Sequence, residues 1–129
     1  MVIIKSYTDL EQSKKLAEIL PLESADAFYP WRELMKDYDS IYVPEKMLMS
    51  DIEEDDILAW SLAALRNLLP AGIKISENTY LFESHNTFDK SWVYRYYDKN
   101  DTSYLYCKNV NEVDACYELI LKLNELNLF

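Results

Sequence analysis

His85 is the single histidine of the chain, so any Ser-His-Asp or Cys-His nucleophile system would have to use it. Ser84 and Asp89 stand near it in sequence, but nearness along the chain is not triad geometry. His85 follows a strand-like run over Thr79–Glu83 and precedes Thr87, which places it in a loop as a solvated imidazole. Cys107 and Cys116 lie at the end of a strand-like run and on the inward face of a helix-like run, where thiols are buried and inert. No His/Cys cluster has the spacing of a zinc site. The run Asp51-Ile52-Glu53-Glu54-Asp55-Asp56 offers carboxylates for a divalent cation, yet lacks the alternating acids and the glycine of a calcium loop. Among 23 acidic residues some pair is bound to fall at glycosidase spacing, so a pair carries no signal. Gly72 is the one glycine, which excludes glycine-rich phosphate loops, and neither Gly-x-Ser-x-Gly nor His-Glu-x-x-His occurs. No catalytic residue, metal or cofactor is expected.

Recognition chemistry is better represented. In the run Trp92–Asp98, alternation puts Trp92, Tyr94 and Tyr96 on one face and Val93, Arg95 and Tyr97 on the other. In the next run Tyr104 and Tyr106 alternate with Leu105 and Cys107. Tyr and Trp join a large rigid body to a polar tip, which suits a binding surface as well as a packed sheet. Arg95 can stack on a ring or form a surface ion pair.

Charge narrows the partners. The net charge is −10, against nonspecific nucleic-acid binding and against docking on anionic lipid. Between Glu33 and Asp56 nine acids face two lysines, so this short stretch carries −7 of the total. The apolar run of Met1-Val2-Ile3-Ile4-Lys5 is too short for a signal peptide, and the longest uncharged apolar stretch, Ile57–Leu65, is far below a membrane span. Two cysteines without a disulfide framework agree with a cytoplasmic location.

These residues need elements to hold them. With 129 residues and 50% hydrophobic content, residues 1–129 read as one domain able to build a core. Thr8-Asp9-Leu10-Glu11 reads as a capping box that opens a helix over Asp9–Leu20, stopped by Pro21. Val2–Ile4 reads as a short strand. Residues 22–50 read as mixed short elements, with strand-like runs at Ala25–Tyr29 and Ile41–Val43 and a helical turn at Trp31–Lys36, and about residues 28–56 form an irregular acidic segment. Ser50-Asp51-Ile52-Glu53 is a second possible capping box, and a broad apolar arc predicts a central helix over Asp56–Leu69, ended by Pro70 and Gly72. The period then changes to two. Ile73–Ser76, Thr79–Glu83, Trp92–Asp98 and Ser103–Cys107 read as strands joined too tightly for parallel crossovers. Asn109–Glu112 caps a closing helix over Val110–Asn127. The expected fold is α+β: an antiparallel sheet of three to five strands, packed by an N-terminal, a central apolar and a C-terminal helix.

Three stretches carry a resemblance: Ile3–Asp26 (IIKSYTDLEQSKKLAEILPLESAD), Trp60–Pro70 (WSLAALRNLLP) and Val113–Leu128 (VDACYELILKLNELNL). Together the chain resembles a family of small uncharacterised proteins from prophages and other mobile elements of gut bacteria. The resemblance implies a cytoplasmic mobile-element accessory protein and transfers no functional residue.

The leading expectation is a non-enzymatic interaction module for a host or element-encoded protein. Its contacts would be Trp92, Tyr94, Tyr96, Tyr104, Tyr106 and Arg95, with Asp51, Glu53, Glu54, Asp55 and Asp56 as an acidic rim that steers basic partners. One alternative is an acidic nucleic-acid mimic that inhibits a host defence nuclease. Another is a small-ligand-binding protein or enzyme with a Tyr-lined pocket anchored by Arg95 or His85.

Overall fold

A computed structural model describes residues 5–30, 45–46 and 56–129. The expected strands at Val2–Ile4 and Ile41–Val43, the turn at Trp31–Lys36, the Ser50–Glu53 box and the acids Asp51, Glu53, Glu54 and Asp55 lie outside the described residues. The fold is α+β. Its packing separates into two compact units, one within Ser6–Ala64 and one formed by Leu65–Phe129 with Lys5.

In the first unit, helix α1 (Leu10–Ile19) opens on a capping box set one residue later than the sequence reading. Asp9 is the N-cap: its carboxylate accepts from the Gln12 amide at 2.8 Å, and the Gln12 side chain accepts from the Asp9 amide at 3.1 Å. Thr8 cannot serve because it is fully buried and its hydroxyl is used elsewhere. That oxygen accepts from the Trp60 amide at 3.1 Å and shares a 2.8 Å bond with Ser13 Oγ. Leu16 is buried from α1, and Leu20 leaves the helix in extended backbone before Pro21. After a 3-10 turn at Leu22–Ser24, strand β1 (Ala27–Tyr29) lies between β2 (Glu45–Lys46) and β3 (Ile57–Ala59), antiparallel to both. Ala27, Tyr29 and Ala59 form a buried cluster joined by Tyr7, Leu10 and Ile57.

Strand β3 corrects the expected central helix. Ile57–Ala59 pairs with β1, and helix α2 covers only Leu62–Leu68. A run apolar at every position but Ser61 has no period to separate buried strand from buried helix, and pairing with β1 overrides helix propensity. Ser61 marks the change: its Oγ accepts from the Ala64 amide at 3.1 Å and contacts the Asp26 carboxylate. Trp60, fully buried, donates its indole N–H to Ser24 Oγ at 2.9 Å.

The second unit is a four-stranded antiparallel sheet with a helix on one face. Strands β4 (Gly72–Ile75), β5 (Asn78–Asn86), β6 (Trp92–Tyr97) and β7 (Ser103–Asn109) lie in that order. Gly72 thus opens a strand rather than closing a helix. Strand β5 runs past the expected end at Glu83, so His85 lies in a strand opposite Val93, not in a loop. Helix α3 (Glu112–Glu125) packs on β6 and β7 and buries Val113, Cys116, Leu119, Ile120 and Leu123. Glu112 and Asp114 in its first turn and Lys122 in its last suit the helix dipole.

Candidate interaction surface

Register sorts the aromatic residues. Tyr94 stands opposite Cys107 and Ser84, and Tyr96 opposite Leu105 and Phe82, so all six share the face under α3. Tyr94 and Tyr96 are 0% exposed and Trp92 is half-buried. Phe82 sits 5.6 Å from both Tyr rings. The Tyr94 hydroxyl donates to the Glu112 carboxylate, while Arg66 Nη1 donates to Tyr94 Oη at 2.7 Å, to Glu112 at 2.8 Å and to Ser84 Oγ at 3.2 Å. Burial, then the bond to Glu112, pushes the Tyr94 phenol up. The Tyr96 hydroxyl donates to the Pro70 carbonyl at 2.7 Å. Tyr94 and Tyr96 are therefore core anchors, which corrects the expectation that they contact a partner. Burial likewise raises both thiols, Cys107 and Cys116.

The opposite face carries Leu81, Glu83 and His85 from β5, Val93, Arg95 and Tyr97 from β6, and Tyr106 and Lys108 from β7. It is open along β5 and β7, while Val93 in the central strand is buried. Arg95 is fixed at its centre. Its Nε and Nη2 donate to Glu83 Oε2 at 3.0 and 2.7 Å, Nη2 also to Asp101 at 2.6 Å, and Nη1 to Ser103 Oγ at 3.1 Å. Its guanidinium lies 4.7 Å from the Tyr97 ring centroid. Stacking and ion pairing, weighed as alternatives in the sequence, thus occur together. The Arg95 hydrogen bonds hold the Glu83 carboxyl below its ordinary value. Around this fixed cation Leu81 is 51% and Tyr106 47% exposed. Tyr106 faces Arg95 across the strand pair, so Tyr106 and Tyr94 lie on opposite faces. Tyr104 belongs to neither alternation. Pairing passes from Tyr96–Leu105 to Tyr97–Ser103, which leaves Tyr104 as the extra residue of a bulge, with its ring 5.0 Å from Tyr80.

No triad forms from the residues near His85. Ser84 and His85 are consecutive in a strand and point to opposite faces. His85 Nδ1 is paired with Glu83 at 2.8 Å, and Asp89 is held by Thr87 and Lys108. Among the described residues no group of three or more His, Cys, Asp or Glu is placed to hold a metal ion, and no helix is long and apolar enough to cross a membrane. At one end of the sheet, a cleft of about 430 Å³ lies between the β4–β5 and β6–β7 turns, floored by Leu81 and Tyr97 and rimmed by Asn78, Lys99 and Asn100. Asp56, the described member of the acidic run, is half-buried in the first unit.

The other end of the sheet holds a residue that the sequence reading passed over. Phe88, in the β5–β6 turn, is fully exposed. The turn is closed by Thr87 N–H to Ser91 O at 2.8 Å, Lys90 N–H to Thr87 O at 3.0 Å and Ser91 N–H to Thr87 Oγ1 at 3.1 Å. Thr87 Oγ1 also donates to the Asp89 carboxylate, which Lys108 of the open face reaches at 3.1 Å. These bonds, Thr87 first and Lys108 next, bring the Asp89 carboxyl down to about 2. The available signal was a phenylalanine inside Asn86-Thr87-Phe88-Asp89-Lys90, where turn chemistry calls for polar residues. Compared with protein-family models, curated proteins and solved structures, the chain matches none.

Proposed function

We propose that this protein is a non-enzymatic interaction module that binds a protein partner on the open face of its four-stranded sheet. The observation that carries the reading is the arrangement of exposed Leu81 and Tyr106 around Arg95, a cation already fixed by Glu83, Asp101 and Tyr97. A surface with its polar groups held in place and its apolar groups in water loses little order on binding. Tyr and Arg are also the types that dominate interface energetics. The charge of −10 favours a basic partner, with the acids from Asp51 to Asp56 speeding its approach. The resemblance to mobile-element proteins suggests an accessory role in the cytoplasm, toward a host or element-encoded protein.

Affinity capture from the native host, with a nuclease-treated control, tests this reading. A specific partner retained after nuclease treatment and lost with the double variant L81S/Y106S supports it. Equal capture by both proteins overturns it. The cleft over Leu81 and Tyr97 favours one second reading, a small-ligand site. A ligand at 100 times its Kd would stabilise the protein by about 2.7 kcal/mol, so a thermal-shift panel of nucleotides and metabolites decides that case.

A further inference from the structure

We infer that Phe88 is the anchor of the interaction and that the partner is a protein with a concave apolar pocket sized for a phenyl ring. The inference rests on the protein-binding reading above and adds the shape of what is bound. Phe88 is 107% exposed, so its ring contributes no packing to this fold. The turn that carries it is nevertheless held closed: Thr87, Asp89, Lys90 and Ser91 are joined by backbone and side-chain hydrogen bonds, and Lys108 ties Asp89 back to the open face. Lys90 holds a left-handed backbone conformation, φ 64°, within that closure. A rigid hairpin that projects one aromatic ring into water is preorganised for insertion, because neither backbone nor turn must be ordered at the moment of binding. A projecting knob fits a hole rather than a flat surface, and binding hot spots sit in well-packed, fully desolvated pockets.

A protein is favoured over a lipid surface for two reasons. A single phenylalanine is too small an apolar anchor to hold a protein on a bilayer, and a chain of net charge −10 is repelled by an anionic leaflet. A second copy is disfavoured by the same charge, and self-association is an outcome of the test below.

The test places the photo-crosslinker p-benzoylphenylalanine at position 88 in the full chain, with the same probe at Glu125, exposed at the end of the helix that covers the other face of the sheet, as control. Illumination in native host lysate should trap one protein from position 88 and not from position 125. Excess wild-type chain should compete it away, whereas F88A should need ~30-fold more. The trapped protein, purified, should bind F88A ~30-fold more weakly than wild type, with F88L intermediate, while F88A keeps the wild-type melting temperature. Competition by F88A equal to wild type, or no trapping from position 88, overturns the inference. If L81S/Y106S fails to compete while F88A competes fully, the open-face reading stands and the anchor alone is lost. Sedimentation with phosphatidylcholine/phosphatidylglycerol vesicles, or concentration-dependent self-association, that disappears in F88A would replace the protein partner and equally overturn it.

Discussion

Tyr94 shows how far one hydroxyl is committed. It joins Arg66 at the end of α2, β6 and Glu112 at the start of α3 through a single oxygen. Tyr94→Phe should lower stability in urea denaturation by about 1.5–3 kcal/mol, the range for hydrogen bonds to charged groups, without altering partner binding, because the ring lies on the covered face. Tyr29 is a second buried phenol with a committed hydroxyl. Burial, then the nearby Asp9, pushes its phenol from the ordinary 10.0 to about 12, and its hydroxyl donates to the Thr8 carbonyl at 2.7 Å. A raised folded value means its stabilising contribution is complete below pH 10.0 and is lost as pH rises toward about 12. An ultraviolet titration of Tyr29→Phe against wild type should show one phenol fewer ionising in that window. Asp89 runs the other way. Its value of about 2 against an ordinary 3.8 gives a contribution present above pH 3.8 and lost as pH falls toward about 2. Thr87→Val removes the largest cause, so the Asp89 carboxyl resonance should then titrate nearer 3.8.

At the scale of elements, the closing sheet and helix were legible because they alternate cleanly. Tyr-Leu-Tyr-Cys and Val-Tyr-Arg-Tyr have period two, and Val113, Cys116, Ile120 and Leu123 fall on one helical face. The stretch Ile57–Leu65 was illegible for the opposite reason: an uncharged stretch apolar on both sides of Ser61 fits a strand and a helix equally, and pairing of Ile57–Ala59 with β1 decides between them. The cap of α1 was misplaced by one residue because sequence shows two adjacent oxygens, Thr8 and Asp9, and not which of them is buried. Asp9→Ala should therefore destabilise by about 1 kcal/mol through the lost cap. The candidate surface was half legible. Alternation separated Tyr94 from Arg95 within β6, but only the inter-strand register and the bulge at Tyr104 show that Tyr106 belongs with Arg95. Phe88 was missed because a single apolar turn residue has no periodicity at all.

At the scale of the molecule, a covered sheet face and an open one divide stability from recognition. Substitutions under α3 should lower stability and spare binding; substitutions at Leu81, Tyr106 and Phe88 should do the reverse. The central claim is that the open face is the binding face. Nuclear magnetic resonance of the full chain, titrated with its captured partner, tests it most directly. Shift changes are expected at Leu81, Arg95, Tyr97 and Tyr106, with Val113, Leu119 and Leu123 on the covered side of α3 unmoved. Changes confined to α3, or none on the open face at saturating partner, would contradict it.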